Sequence, residues 1–420
     1  MLNAMRVRDF RLLWIGQGTS LLGDQFGMIA FPWLVLQLTG DPLALGAVMA
    51  LMAVPRALFM LVGGAVTDRL SSRTVMLASD AIRLVMTLAV ALLALNGHIQ
   101  MWMVYAMALI SGTVSGFFLP ASGSIMPALV DKEDLQGANS LFQRTAQLTN
   151  FVGPVLAGGL IAWFSPHGIT TLPKLTGVGL AFLLDSLTFP VSLVTLGLIR
   201  SRAQTARNAA GAPEAEARGT AGMLASIKEG MVFAWRNPGL RMVFIIITVV
   251  NLFFVGPLLI GIPVLAQMRL PEGAAAFGLI MSGYGGGNLL GYILSGNLKM
   301  RRVGPLVTVL IVAFGIGTAV IGMSYSTLLS FATLLVLGIG NGAIGLLFIT
   351  WLQRNTPEHM LGRMMNLLYM TNVGLTPVSE AASGLLSKLS VTGLFLGAGV
   401  LMALTGLWGG TRAELKDVEM

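Results

Sequence analysis

Read from its first residue, the chain is a series of long apolar runs separated by short polar punctuation. Such runs occupy 11–38, 43–66, 74–95, 101–121, 138–163, 177–199, 239–266, 276–298, 304–324, 327–350, 364–386 and 392–410. Crossing the hydrocarbon core of a bilayer takes about 20 mostly apolar residues in helical form. Each run meets that length, and none shows the strict apolar–polar alternation of a strand. The pattern predicts an all-α integral membrane protein with twelve transmembrane helices. The longest hydrophilic stretch, Ser201 to Gly222, is rich in Ala, Gly, Arg and Glu and separates six runs from six. The expected organisation is a six-helix bundle over 1–200, a flexible cytoplasmic linker over 201–222 and a second bundle over 223–420.

Composition sharpens this picture. Of the 420 residues, 55% are hydrophobic and 10% charged, against about 25% charged in soluble domains. The formal net charge of +8 invites a nucleic-acid partner, but the basic residues lie in the segments between apolar runs, so none is expected. If the amino end starts inside, 21 of the 26 Lys and Arg fall on the cytoplasmic side. This bias predicts a multi-pass protein of a bacterial-type plasma membrane with both termini cytoplasmic. The basic segment before Arg11 resembles the start of a leader. The apolar run nevertheless continues past Asp24 without a small-residue cleavage site, and reads as the first span. The absence of cysteine removes disulfides, thiolate metal sites and thiol nucleophiles. His98, His167 and His359 are far apart, so neither a metal site nor catalytic residues are expected.

Several motifs sit at fixed places in this frame. Gly64 through Asp68, Arg69 and Arg73 forms a charged turn between the second and third runs. There Gly64 would let a neighbouring helix approach, and Asp68 and Arg69 would bridge helix ends on the inner face. Glu133 and Asn139 precede the fifth run, while Glu358, Gly362 and Arg363 precede the eleventh. Glu-to-Gly spacing is the same in both places, six runs apart. Gly153, Pro154 and Gly158 interrupt the fifth run, where the proline permits a kink and the small residues permit close packing. Taken together, the charged turn, the repeated inner-face motifs and the two sets of six runs resemble the major facilitator superfamily. That resemblance implies two pseudo-symmetric six-helix bundles, with Gly64, Asp68, Arg69 and Arg73 as a gating loop. Gly153-Pro154 through Gly158 is similar to the motif marking antiporters, with Ala157 in place of a glycine. The segments from Gly16 to Asp24, Phe31 to Trp33, and Asp80 to Arg83 resemble the drug, macrolide and siderophore exporters of that family. The fourth span lacks the arginine that many drug:proton antiporters carry.

Ionisable residues inside a span are costly and point to function. Asp24 lies about 13 residues into the first run, roughly 20 Å at ~1.5 Å per residue. Arg56 lies at similar depth in the second, so the two can meet, either as a structural pair or as part of proton coupling. Asp185 in the sixth run and Glu380 in the eleventh are further proton-coupling candidates. Asp80 and Arg83, one turn apart, read as an inner-face structural motif. Asn150, Asn251, Asn288 and Asn341 suit either a cavity lining or interhelical hydrogen bonds. The expected activity is secondary active transport, the proton-coupled export of an amphipathic small molecule by alternating access. No enzyme chemistry is expected, and no cofactor beyond a proton gradient; the partners are substrate, protons and the lipid bilayer, and a monomer is expected. A lysophospholipid or other lipid transporter, and a transport-dead membrane sensor, stand as alternatives.

Overall fold

The computed structural model describes residues 4–131, 133–165, 175–199, 229–295 and 304–412. Twelve long helices run through them: α1 (Arg8–Thr39), α2 (Pro42–Leu70), α3 (Ser72–Leu95), α4 (Met101–Ile125), α5 (Leu135–Trp163), α6 (Thr176–Leu198), α7 (Pro238–Arg269), α8 (Ala274–Ser295), α9 (Gly304–Met323), α10 (Thr327–Asn355), α11 (Glu358–Leu389) and α12 (Val391–Thr411). Nine of these are long and apolar enough to cross a membrane by length and composition. Over the described residues each predicted span falls on one helix, and no strand occurs among them. The expected linker 201–222 lies outside the described residues.

The helix ends follow local chemistry. Asn237, Ser326 and Ser390 each accept a backbone N–H from the first turn of the helix they precede, the usual capping arrangement. The junction of α2 and α3 departs from expectation. Residues 64–70 continue the helix, and the turn is made by Ser71 alone, at φ 78°. That left-handed conformation is rare for a non-glycine residue. Here the Ser71 hydroxyl accepts the Thr74 N–H at 3.1 Å and caps α3.

Two compact units emerge from the internal contacts, residues 1–38 with 51–220 and residues 39–50 with 221–420. In the first, a core gathers Phe10 and Leu13 of α1, Met76 of α3, Phe118 and Ala121 of α4 and Leu196 of α6. In the second, the core gathers Val243 and Phe244 of α7, Ile311 of α9, Leu347 and Trp351 of α10 and Met364 of α11, the first three of these helices standing six places on from α1, α3 and α4. The start of α2 belongs to the second unit for a local reason. Gly46 and Gly384 meet so closely that a β-carbon on either would lie 2.7 Å from the other's Cα. Nearby, Lys388 Nζ donates to Asp41 Oδ2 at 3.1 Å.

Helix α7 is not a regular rod. Between Asn251 and Gly261 its turns widen to π-helical geometry. Pro257 has no N–H to donate, and Ser379 of α11 enters the ladder. Gly256 N–H donates to Ser379 Oγ at 2.8 Å, and Ser379 Oγ–H donates to Leu252 O at 2.7 Å. One hydroxyl thus replaces the direct bond that an α-helix makes between residues 256 and 252.

Candidate functional site

In the first unit, Arg83 is the counter-ion of Asp24. Midway along α3, its Nη1 lies 3.8 Å from Asp24 Oδ1 of α1. Its Nη2 donates to Ser115 Oγ of α4 at 3.2 Å, and its guanidinium lies 4.5 Å from the centre of the Phe118 ring. Hydroxyl and ring steady the arginine on one side and leave the Asp24 pair long for an ion pair. The Asp24 side chain is 45% exposed, whereas that of Arg83 is 16% exposed. A carboxylate midway along a membrane helix is therefore exposed, while its counter-ion is held against Ser115 and Phe118 of α4.

Arg83, not Arg56, is thus the partner of Asp24. Similar depth on consecutive helices does not make two side chains face each other. At this level α2 is pressed onto α4: β-carbons at Gly112 and Gly116 would strike Met52 and come within 3.0 Å of Arg56 O. Buried Arg56 Nε has no hydrogen-bond partner among the described residues.

One turn before Arg83, Asp80 is fully buried. Ser192 Oγ–H of α6 donates to its Oδ2 at 2.6 Å, and Gln17 Nε2 of α1 donates to Ser192 Oγ at 3.2 Å. Asp80 therefore ties α3 to α6 and α1, as a structural residue. Asp185, on α6, is also buried, against Gly23 and Gly27 of α1.

The motif residues divide between seats and surfaces. Gly153 of α5 makes room for Gln25 of α1, whose Nε2 donates to Asn150 Oδ1 at 2.8 Å. Pro154 and Gly158 are buried in the same helix. Gly64, expected to allow close approach, has nothing within 4 Å of where a β-carbon would stand. Gly63 takes that part instead, 2.6 Å from Gly116 O by the same construction. Helix phase, which hydropathy does not encode, selects between the adjacent glycines. The side chains of Asp68, Arg69 and Glu358 lie outside the described set. Arg73 turns to α6, donating through Nε to Leu196 O at 2.7 Å and through Nη2 to Gly197 O at 2.6 Å. It caps the carbonyl end of α6, a favoured site for a cation. Glu133 and Asn139 are exposed at the start of α5, and a β-carbon on Gly362 would meet open space. Arg363 pairs with Glu229 Oε2 at 2.9 Å.

In the second unit Glu380 is 2% exposed, next to the Ser379 that enters α7. The asparagines act between helices: Asn251 Nδ2 donates to Asn372 Oδ1 at 3.1 Å, and Asn341 Nδ2 to Asn288 Oδ1 at 2.7 Å. Nothing in the sequence singles out Ser115, Ser192, Asn372 or Ser379, because serine and asparagine are common in any membrane helix. The spacing of Gly23 and Gly27 around Asp24 was the available signal for the Asp185 seat. No group of three or more His, Asp or Glu side chains that could hold a metal occurs among the described residues.

Comparison with known proteins accords with this architecture. Two curated relatives align over nearly the full chain. One is the multidrug efflux pump Tap of Mycolicibacterium fortuitum, 25% identical, with 96% of this chain and 95% of that protein covered. The other is YfiS, an uncharacterized MFS-type transporter of Bacillus subtilis (strain 168), 24% identical with 94% and 91% covered. Among solved structures, nucleoside transporter NupG superposes with a TM-score of 0.71 at 13% identity, covering 96% of this chain and 98% of that one. A POT family transporter in complex with 5-aminolevulinic acid gives 0.70 at 12% identity, with 96% and 95% covered. The family model of the Major Facilitator Superfamily matches residues 13–378, and the chain belongs to that superfamily of membrane transporters.

Proposed function

We propose that the protein is a proton-driven exporter of amphipathic small molecules, working by alternating access as a monomer in a bacterial inner membrane with both termini cytoplasmic. The observation that carries this reading is Asp24, a carboxylate deep along α1 and 45% exposed, loosely held by Arg83 at 3.8 Å. An exposed acid with a replaceable counter-ion can exchange one cation for another, which is the elementary step of antiport. Likeness to the multidrug efflux pump Tap supports drug-like cargo, and Gly153 seating Gln25 of α1 against α5 fits an antiporter. Energy comes from the proton gradient, with no further cofactor. Glu380, buried in the second unit, is a secondary candidate for coupling.

Purified protein in liposomes, screened with fluorescent dyes, macrolides and siderophores, tests the reading. An imposed pH gradient should drive accumulation of at least one compound, and Asp24→Asn should abolish that drive. Rates that stay the same when an ionophore collapses the gradient, across all compounds moved, would refute proton coupling.

A further inference from the structure

Asp185 occupies a seat that α1 makes for it. Its carboxylate lies in the gap left by two glycines one turn apart: a β-carbon at Gly23 would stand 2.7 Å from Oδ1, and one at Gly27 would stand 3.0 Å from Oδ2. At Gly27 no other residue comes within 4 Å of that position, so the space serves the carboxylate alone. Asp185 is 6% exposed, and its buried Oδ1 has no hydrogen-bond partner among the described residues. Buried polar atoms are ordinarily bonded. An ionised carboxylate without donors is expensive to bury, and a proton on it removes that cost.

The charged groups around it are few. Asp24 lies on α1 between the two glycines that seat Asp185, and Arg83 on α3 pairs with Asp24 at 3.8 Å. Asp80, also on α3, is engaged by Ser192. Helix α5 also packs on α6, and its single ionisable residue, Arg144, is exposed. One arginine therefore stands among three carboxylates. Asp80 accepts a hydrogen bond at Oδ2 although its buried Oδ1 has no partner among the described residues, Asp24 is exposed, and Asp185 is enclosed with no hydrogen bond to its carboxylate among the described residues.

We propose that Asp185 carries the transported proton and that Asp24 receives the positive charge of a lipophilic monocation, the two acids sharing Arg83 as counter-ion. This deepens, and rests on, the proton-driven reading above. When a monocation reaches Asp24, it relieves Arg83 of that carboxylate. The freed guanidinium stabilises Asp185 in its ionised form. The Asp185 O–H bond then breaks, its electron pair stays on oxygen, and the proton leaves toward the open side on which Asp24 lies. In reverse, a proton bound by Asp185 returns Arg83 to Asp24 and expels the cation. One positive charge enters for each that leaves, so the site's net charge is conserved. Gly23 and Gly27 are positioning residues in this scheme.

Tetraphenylphosphonium, a permanent monocation without a titratable proton, separates the parts. Added to purified protein in weakly buffered detergent solution with a pH indicator, it should release up to one proton per cation bound, at a pH where Asp185 is protonated in the free protein and ionised in the bound one. Asp185→Asn should still bind the cation and release none. Gly27→Ala, which favours the helix and touches only the Asp185 carboxylate, should change the pH dependence of proton release while leaving cation binding intact. Placed on the Asp185→Asn background, Gly27→Ala should change nothing further. If Asp185→Asn releases as many protons as wild type, or if wild type does not bind the cation, the proposal is overturned. Wild-type liposomes unresponsive to a pH gradient would instead remove the proton-driven reading beneath it. Wild type and Asp185→Asn driven equally by a gradient would overturn this proposal alone.

Discussion

Replacing Ser379 with alanine removes a hydroxyl that completes the backbone ladder of another helix. In α7 the Gly256 N–H reaches Ser379 Oγ at 2.8 Å, and the same hydroxyl reaches Leu252 O at 2.7 Å. Alanine deletes both links and leaves a donor and an acceptor facing each other across a widened turn. Leaving a buried polar group unsatisfied costs about 1–3 kcal/mol, so the pair costs about 2–4 kcal/mol once partial relaxation is allowed. The helix cannot simply tighten, because Pro257 next in sequence has no N–H and α11 packs directly on Gly256. A β-carbon there would lie 2.6 Å from Ser379 Oγ and closer still to Ser379 O. At ~1.4 kcal/mol per factor of ten, amide exchange at Gly256 should accelerate roughly 30- to 700-fold if local opening governs it. Hydrogen–deuterium exchange with mass spectrometry on peptides spanning 250–258 reads this directly. Ser379→Thr, which keeps a hydroxyl, should stay within a fewfold of wild type. Exchange in Ser379→Ala within about twofold of wild type would mean that α7 closes its own ladder, and the argument would fail.

Three further outcomes are expected. Gly63→Ala should lower stability by about 1–3 kcal/mol, since its β-carbon meets Gly116 O at 2.6 Å, while Gly64→Ala should be neutral or slightly stabilising; thermal unfolding in detergent ranks the two, and the opposite order would refute the assignment. Arg73→Ala should cost about 1.5–3 kcal/mol by uncapping Leu196 O and Gly197 O, and Arg73→Lys should not restore it fully because one ammonium cannot reproduce the planar fork. The Leu43 N–H, and after it Lys388, hold the Asp41 carboxyl below the ordinary carboxylate range; because the folded value is the depressed one, the stability it contributes is present above about pH 4 and is lost as pH falls through the folded value. Unfolding curves from about pH 5 to about pH 3 should therefore show an acid-sensitive component that Asp41→Asn removes; an unchanged slope in the variant would assign the acid sensitivity elsewhere.

Much of the architecture was legible before any coordinates. A bilayer demands a minimum apolar length and an internally satisfied backbone, so runs such as 74–95 and 304–324 could only become helices, and α3 and α9 fall where those runs lie. Pro42, Pro238 and Ser390 mark helix starts by local chemistry that needs no neighbour. The ionisable residues within spans were equally plain, because each stands out against an apolar background. Their partnerships were not. Asp24 meets Arg83 rather than Arg56, Gly63 rather than Gly64 touches α4, Arg73 caps α6, and Ser379 enters α7 from more than a hundred residues away. Each outcome depends on how far a helix is rotated about its own axis and on which neighbour lies against it at a given depth. Hydropathy averages over that rotation, since lipid-facing and helix-facing residues are alike apolar. Only the packed bundle resolves it, because close approach at Gly112, Gly116 and Gly153 is a contest between surfaces that no single helix contains.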